Sequence, residues 1–191
     1  GAVLKNLGQL KEAELSIRQS IKLNPNLFNS HFLLGTILLG QKKLQEAEQP
    51  LRKAIELNPS FFQAHLSLGR VLKDLGKLKE AELSIRQSIE LNPNLFNSHF
   101  LLGIILIGQK KLQEAEQSLR KTIELKPDFA EAYSNLGIIL KDFGNLKEAE
   151  ISTRKAIEIK PDFAEAHYNF GNLLKELGKL QDAEFSYRKA I

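Results

Sequence analysis

Apolar residues recur along this chain at intervals of three and four. Residues 28–40 carry them at Leu34, Ile37 and Leu38, and residues 62–74 at Leu68, Val71 and Leu72. Residues 44–57 carry them at Leu44, Ala47, Leu51, Ala54, Ile55 and Leu57. Such spacing lines one face of a helix, so the pattern predicts pairs of helices and no strands. The boundary signals agree. Pro25, Pro59, Pro93, Pro127 and Pro161 each follow a second helix and push the preceding residue out of the helical region. Gly76, Gly144 and Gly178 fall in the turn between the helices, where a left-handed residue costs glycine least. Lys42 and Lys110 hold that place in two other pairs and should strain it slightly. Asp128 with Glu131, Asp162 with Glu165, and Ser60 with Gln63 are spaced as capping boxes for the first helices. Pro50 breaks the pattern inside a second helix, and the expected response is a kink or a helix delayed by a turn.

The helix pairs repeat. The five prolines lie 34 residues apart, as do Gly35, Gly69, Gly103, Gly137 and Gly171, and the alanines from Ala13 to Ala183. With Phe28 as position 1, full repeats run 28–61, 62–95, 96–129 and 130–163. Partial repeats at 1–27 and 164–191 complete one array over 1–191. Small residues at positions 8 and 20, such as Gly35 facing Ala47, should let the two helices approach closely. Neither helix can bury its apolar face alone, so neighbouring repeats must stack. Residues 7–57 and 75–125 differ only at Gln9/Lys77, Lys22/Glu90, Thr36/Ile104, Leu39/Ile107, Pro50/Ser118 and Ala54/Thr122. The copied unit is therefore a two-repeat block, and duplication accounts for the identity of NLFNSHFLLG at 26–35 and 94–103.

These residues closely resemble the tetratricopeptide repeat (TPR) family. Its consensus has an aromatic at position 4, Leu-Gly at 7–8, Ala at 20 and 27, and Pro at 32. In the repeat at 130–163, Tyr133, Leu136, Gly137, Ala149, Ala156 and Pro161 match, while Thr153 at position 24 departs. The resemblance covers essentially the whole chain. It implies an all-α fold, a right-handed superhelical solenoid of antiparallel helix pairs whose first helices line a concave groove, and protein–protein recognition. Pentatricopeptide RNA binders are similar but run at a 35-residue period, which this chain never shows.

In the family the groove is lined mainly by positions 2, 5, 9, 12 and 13. The resemblance therefore implies partner contacts from Asn29, Phe32, Thr36 and Leu39, then Gln63, Leu66, Arg70 and Lys73. It adds Asn97, Phe100, Ile104 and Ile107, then Glu131, Ser134 and Ile138, and last Tyr168 and Asn172. The first helices at 28–40 and 96–108 are apolar nearly all round, the pattern of a helix covered on both sides. The expected cover is an apolar or amphipathic segment of a partner protein or peptide, with mutual burial between neighbouring first helices as the alternative. The family's clamp for chaperone C-terminal carboxylates needs Lys at position 5 and a Lys–Arg pair at 2 and 6, and neither occurs. Asn135 and Asn169 at position 6 are similar to the asparagine-lined repeats ahead of O-linked N-acetylglucosamine transferase domains. That keeps a substrate-recruiting arm of a larger enzyme as an alternative reading, beside a self-assembling homo-oligomer.

Composition narrows the classes. Cysteine is absent, which excludes disulfides, thiolate metal sites and a thiol nucleophile, and fits a reducing, cytoplasmic setting. The net charge of +4 is mild, and Lys and Arg interleave with Glu, so no phosphate-tracking stripe and no nucleic-acid partner is expected. The longest uncharged run, 96–108, is too short to span a bilayer. Methionine is absent even at position 1, so the sequence reads as an interior piece of a longer protein. His31, His65, His99 and His167 occur once per repeat at position 4. Packed helices stand about 8–10 Å apart, too far for one zinc ion to bridge, so these read as packing groups and no metal site is expected. The Glu-Ala-Glu pairs diverge around their helices, and no phosphate-cradling loop is present. The expectation is a non-catalytic module with no cofactor.

Overall fold

The computed structural model describes the backbone of residues 2–191 and the side chains from Gln9 onward. Gly1, which opens the partial repeat 1–27, lies outside the described residues. The described residues form eleven helices and no strand. They are α1 (Ala2–Leu23), α2 (Phe28–Gly40), α3 (Leu44–Leu57), α4 (Phe62–Asp74), α5 (Leu78–Leu91) and α6 (Phe96–Gly108). There follow α7 (Leu112–Leu125), α8 (Ala130–Asp142), α9 (Leu146–Ile159), α10 (Ala164–Glu176) and α11 (Leu180–Lys189). Two compact units divide the chain, Gly1–Leu101 and Leu102–Ile191, with the boundary inside α6.

In each unit the helices pack as hairpins, α2 with α3 and α4 with α5 in the first, α8 with α9 and α10 with α11 in the second. Each hairpin stacks on the next through its second helix, as α3 does on α4 and α9 on α10. Close approach within a hairpin depends on glycine at position 8. A Cβ added at Gly35 would lie 2.5 Å from Leu51 Cγ, and one at Gly171 would lie 2.5 Å from Tyr187 Cε1. The expected partner of Gly35, Ala47, contributes only its backbone oxygen at 3.3 Å, so the tight side-chain contact is with position 24. Leu38, Leu51, Leu72 and Ile85 fill the first core, and Leu119, Ile139, Leu140, Leu173 and Leu174 the second.

The second helices end as the prolines require: Asn58, before Pro59, has φ −143° and ψ 87°. The capping boxes do not form. Each first helix begins one residue later than they need, with Phe61, Phe129 and Phe163 in the capping position and no side-chain cap bond. Ser60 Oγ instead donates to Asn58 Oδ1 at 2.9 Å. Helix starts are held by backbone bonds such as Ala64 N–H to Phe61 O, 3.0 Å.

Gly76, Gly144 and Gly178 adopt φ near +76°, and Lys42 and Lys110 are forced to φ 60° and 62° in the same turn. A side chain in the left-handed region costs roughly 1–2 kcal/mol. Lys42→Gly and Lys110→Gly should each raise stability by up to about 1 kcal/mol in a denaturant titration, since the unfolded-state entropy of glycine offsets part of the relief.

Pro50 does not delay its helix. α3 starts at Leu44 and keeps the 14 residues of α7, its duplicate. In α7 the equivalent Ser118 keeps its backbone N–H and also donates Oγ to Glu114 O at 3.0 Å, whereas Pro50 has no N–H to offer Glu46. Because α3 stays helical with proline inside it, Pro50→Ser should recover up to about 3 kcal/mol and raise the melting temperature. An unchanged melting temperature would refute this account of the strain.

Candidate functional site

On each first helix, positions 2, 5, 9 and 12 follow one another at intervals of three and four and share one face. In the first unit α2 carries Asn29, Phe32, Thr36 and Leu39 on that face. Asn29 is exposed and the other three are half-buried. Phe32 is half-buried because its ring stands edge-on to Phe61, centroids 4.9 Å apart, and Phe61 also takes Phe28 at 5.1 Å. Phe61, the last residue of the same repeat and the one that leads into α4, therefore accounts for part of the burial of Phe32. Thr36 Oγ1 is satisfied by Leu33 O at 2.9 Å. The exposed apolar residue of α2 is Leu33, at 45%, which the position rule passes over.

On α4, Gln63, Leu66 and Lys73 are half-buried and Arg70 is exposed. Lys73 Nζ pairs with Asp74 at 2.8 Å. Gln63 Oε1 is buried without a hydrogen-bond partner. At the start of α6, Asn97 is exposed and Phe100 half-buried.

In the second unit, Ile104, Ile107 and Ile138 are half-buried, so none of these expected apolar anchors stands fully free. Ile138 and Asn172 come together, with Lys141 and Asn169, around a cavity of about 160 Å³ between α8 and α10. Ser134 must be removed from the candidate surface. It is completely buried, and its Oγ accepts Asn169 Nδ2 at 3.2 Å, so it supports the face from behind. Asn172 Oδ1 accepts the Tyr187 hydroxyl at 2.9 Å. Tyr168 is exposed, with its ring 5.9 Å from that of Tyr187. Glu131 lies 3.8 Å from Lys160 Nζ.

The histidines act as ties. His31, His65, His99 and His167 place Nε2 2.8, 2.8, 2.8 and 2.9 Å from the carbonyl of the proline six residues earlier. A carbonyl only accepts, so the proton sits on Nε2. This bond pins each first helix to the loop that leads into it.

Besides Leu23 and Leu180 at helix ends, the second helices expose four large apolar side chains at one repeat position. Leu15, Leu83, Ile151 and Phe185 all occupy position 22, at 70%, 70%, 69% and 63% exposure. The signal was an apolar residue outside the 17, 20, 24, 27 core row of the second helix. Sequence reading passed over it because the position is not apolar throughout, with Gln49 and Gln117 there in the repeats at 28–61 and 96–129.

The second helices otherwise carry a self-neutralising charge ladder. Glu14 holds Arg18 at 2.9 Å and Lys43, from the next repeat, at 3.0 Å. Glu48 holds Arg52 and Lys77 at 2.8 Å each, and in the second unit Glu150 holds Arg154 at 2.8 Å and Lys179 at 3.0 Å. The Arg18 guanidinium, then the Lys43 ammonium, bring the Glu14 carboxyl down to about 2. Lys77 chiefly lowers Glu48, and Arg154 chiefly lowers Glu150. Among the described residues no group of three or more acidic or histidine side chains is placed to hold a metal, and no helix is long and apolar enough to cross a membrane.

Two tetratricopeptide repeat models match the chain, one over residues 17–49, 85–117 and 153–185, the other over 1–27, 62–95 and 130–163. The chain belongs to the tetratricopeptide repeat family. Its fold is that of TPR solenoids in solved structures. YrrB, described as a TPR protein with an unusual peptide-binding site, is 24% identical with a TM-score of 0.76, over 92% of this chain and 90% of that one. MamA of Desulfovibrio magneticus is 20% identical with a TM-score of 0.79, over 85% and 92%. PilF of Pseudomonas aeruginosa is 23% identical with a TM-score of 0.77, over 85% and 74%. No curated protein matches the sequence.

The ladder sets a pH dependence. A carboxylate whose folded pKa is depressed contributes stability that is complete above its unfolded value and lost as pH falls through the folded one. For Glu14 that window runs from 4.5 down to about 2, and Glu48 and Glu150 shift in the same direction. The melting temperature should therefore hold steady above pH 4.5 and fall as the pH drops toward 2. Glu14→Gln should flatten part of that fall.

Proposed function

We propose that the chain is a non-catalytic scaffold that holds an apolar or amphipathic segment of a partner protein on its first-helix face. One observation carries the reading. α2, FNSHFLLGTILLG, contains no charged residue, yet Phe32 and Leu39 are only half-buried and Leu33 is exposed. Apolar surface left open beside charged neighbours is where a partner gains affinity by removing water. Phe100 in the duplicated helix, with Ile104 and Ile107 in the second unit, repeats the chemistry. Membership of a family whose known structures include a peptide-binding protein is consistent with this. The self-neutralised second helices leave that face as the surface for recognition.

The experiment is selection of a random peptide library on the purified chain. Enriched peptides should be rich in apolar residues and lose most of their affinity to a Phe32→Ser, Leu33→Ser double variant. Leu33→Ser alone controls for folding, because Leu33 is exposed, while circular dichroism follows the loss of the Phe32–Phe61 contact. Peptides that bind the double variant undiminished would refute the site. Light scattering on the same proteins tests a second copy as occupant: an oligomer that the double variant dissolves, with no peptide enriched, would replace the partner reading by self-association.

A further inference from the structure

We propose that the segment held by the first unit carries an acidic side chain, Asp or Glu, between apolar residues, and that Arg70 receives it. This rests on the groove reading above.

The chain has seven arginines, at 18, 52, 70, 86, 120, 154 and 188. Six stand on second helices, and each pairs with the glutamate four residues before it: Arg18 with Glu14, Arg52 with Glu48, Arg86 with Glu82, Arg120 with Glu116, Arg154 with Glu150, and Arg188 with Glu184. Arg70 alone stands on a first helix. The residue four before it is Leu66, so the partner that satisfies every other arginine is missing. Asp74, four residues after it, is taken by Lys73 at 2.8 Å. A base ahead of an acid is also the weaker order on a helix. Arg70 is therefore an exposed guanidinium with no hydrogen bond or ion pair among the described residues.

Its surroundings define what would complete it. α2 and residues 96–101 of α6 carry no charged side chain, and α4 carries two cations, Arg70 and Lys73, against one carboxylate, Asp74. The first-helix residues of this unit thus hold one surplus positive charge in an apolar setting. Leu66 stands one turn away on the same face of α4. α2, with Phe32 and Leu39, packs against α4, and the Phe32 ring rests on Phe61, the residue that precedes α4. A guanidinium matches a single carboxylate through two parallel hydrogen bonds. Apolar flanks lower the local dielectric and strengthen the pair. A peptide carboxylate with apolar residues on both sides satisfies the charge and the flanks together.

The test uses the peptides enriched on the intact chain and measures their affinity for wild type, Arg70→Gln and Arg70→Glu. Each peptide is compared with versions in which its acidic residue is replaced by the amide or by phosphoserine. Because Arg70 has no partner among the described residues, both variants should melt with wild type, which separates binding from folding. The expected result is an acidic residue between apolar positions in the enriched set. Arg70→Gln should weaken those peptides roughly ten- to hundredfold and leave their amide versions unchanged. Selection on Arg70→Glu should replace the acidic residue by Lys or Arg.

Peptides that depend on Phe32 and Leu33 but show no acidic preference, or ignore Arg70→Gln, would overturn this inference and leave the groove reading standing. Phosphoserine versions that bind more tightly than the acidic originals would overturn the assignment to a carboxylate. A library from which nothing dependent on Phe32 and Leu33 emerges would sink both.

Discussion

The close approach of the two helices at position 8 is the constraint from which the rest follows. At Gly35 a Cβ would meet Leu51, at Gly69 Ile85, at Gly137 the Thr153 hydroxyl and at Gly171 the Tyr187 ring. The partner at position 24 changes from Leu to Ile, Thr and Tyr, and the glycine stays. A hairpin this tight buries positions 7, 8, 10 and 11 of the first helix almost completely in the repeats at 62–95 and 130–163. Positions 2, 5, 9 and 12 are turned to another side, where cover comes from contacts such as Phe61 on Phe32, Asn169 on Ser134 and Tyr187 on Asn172. The face proposed for recognition thus exists because glycine lets the opposite face close.

The junctions between repeats come in two kinds, and the alternation follows the duplicated block. Between α1 and α2 and between α5 and α6, hydroxyls meet: Ser20 with Ser30 at 3.1 Å and Ser88 with Ser98 at 2.9 Å. The corresponding pairs elsewhere are Ala54 with Ala64, Thr122 with Ala132, and Ala156 with Ala166. The last pair lies in an apolar cluster with Ala130, bordered by Tyr133, Ile157 and Phe163. Thr122 turns its hydroxyl back to Ser118 O at 2.8 Å, so this junction needs no partner across it. A buried hydroxyl pair is neutral only while both members are present. Copying in blocks of two repeats preserves that pairing.

Charge divides in the same two-sided way. The second helices gather nearly all the arginines and most of the glutamates into a ladder that runs from repeat to repeat and cancels itself. These partly exposed ion pairs contribute little each, and their value lies in the register they impose between neighbours. The first helices carry few charges, so a single unpaired one there has consequences that it would not have on the second.

The 34-residue period, the helix pairs and their ends at proline were legible in sequence, because helical spacing and the φ restriction of proline act over a few residues. The left-handed turn at Gly76 and the strain at Lys42 were legible for the same reason. The capping boxes failed because helix starts shifted by one residue, a distance that short-range pattern does not resolve. The face was legible only in outline. Which residues share a stripe follows from helical geometry, but how far each is covered depends on the neighbouring repeat. Ser134 vanishes beneath Asn169 and Phe32 leans on Phe61, contacts between residues about one repeat apart, while Leu33 stays open. Sequence alone determined that this is a stack of helix hairpins with a sparsely charged first-helix face. Only the tertiary structure decided which side chains on that face remain free, because exposure is set by packing between repeats.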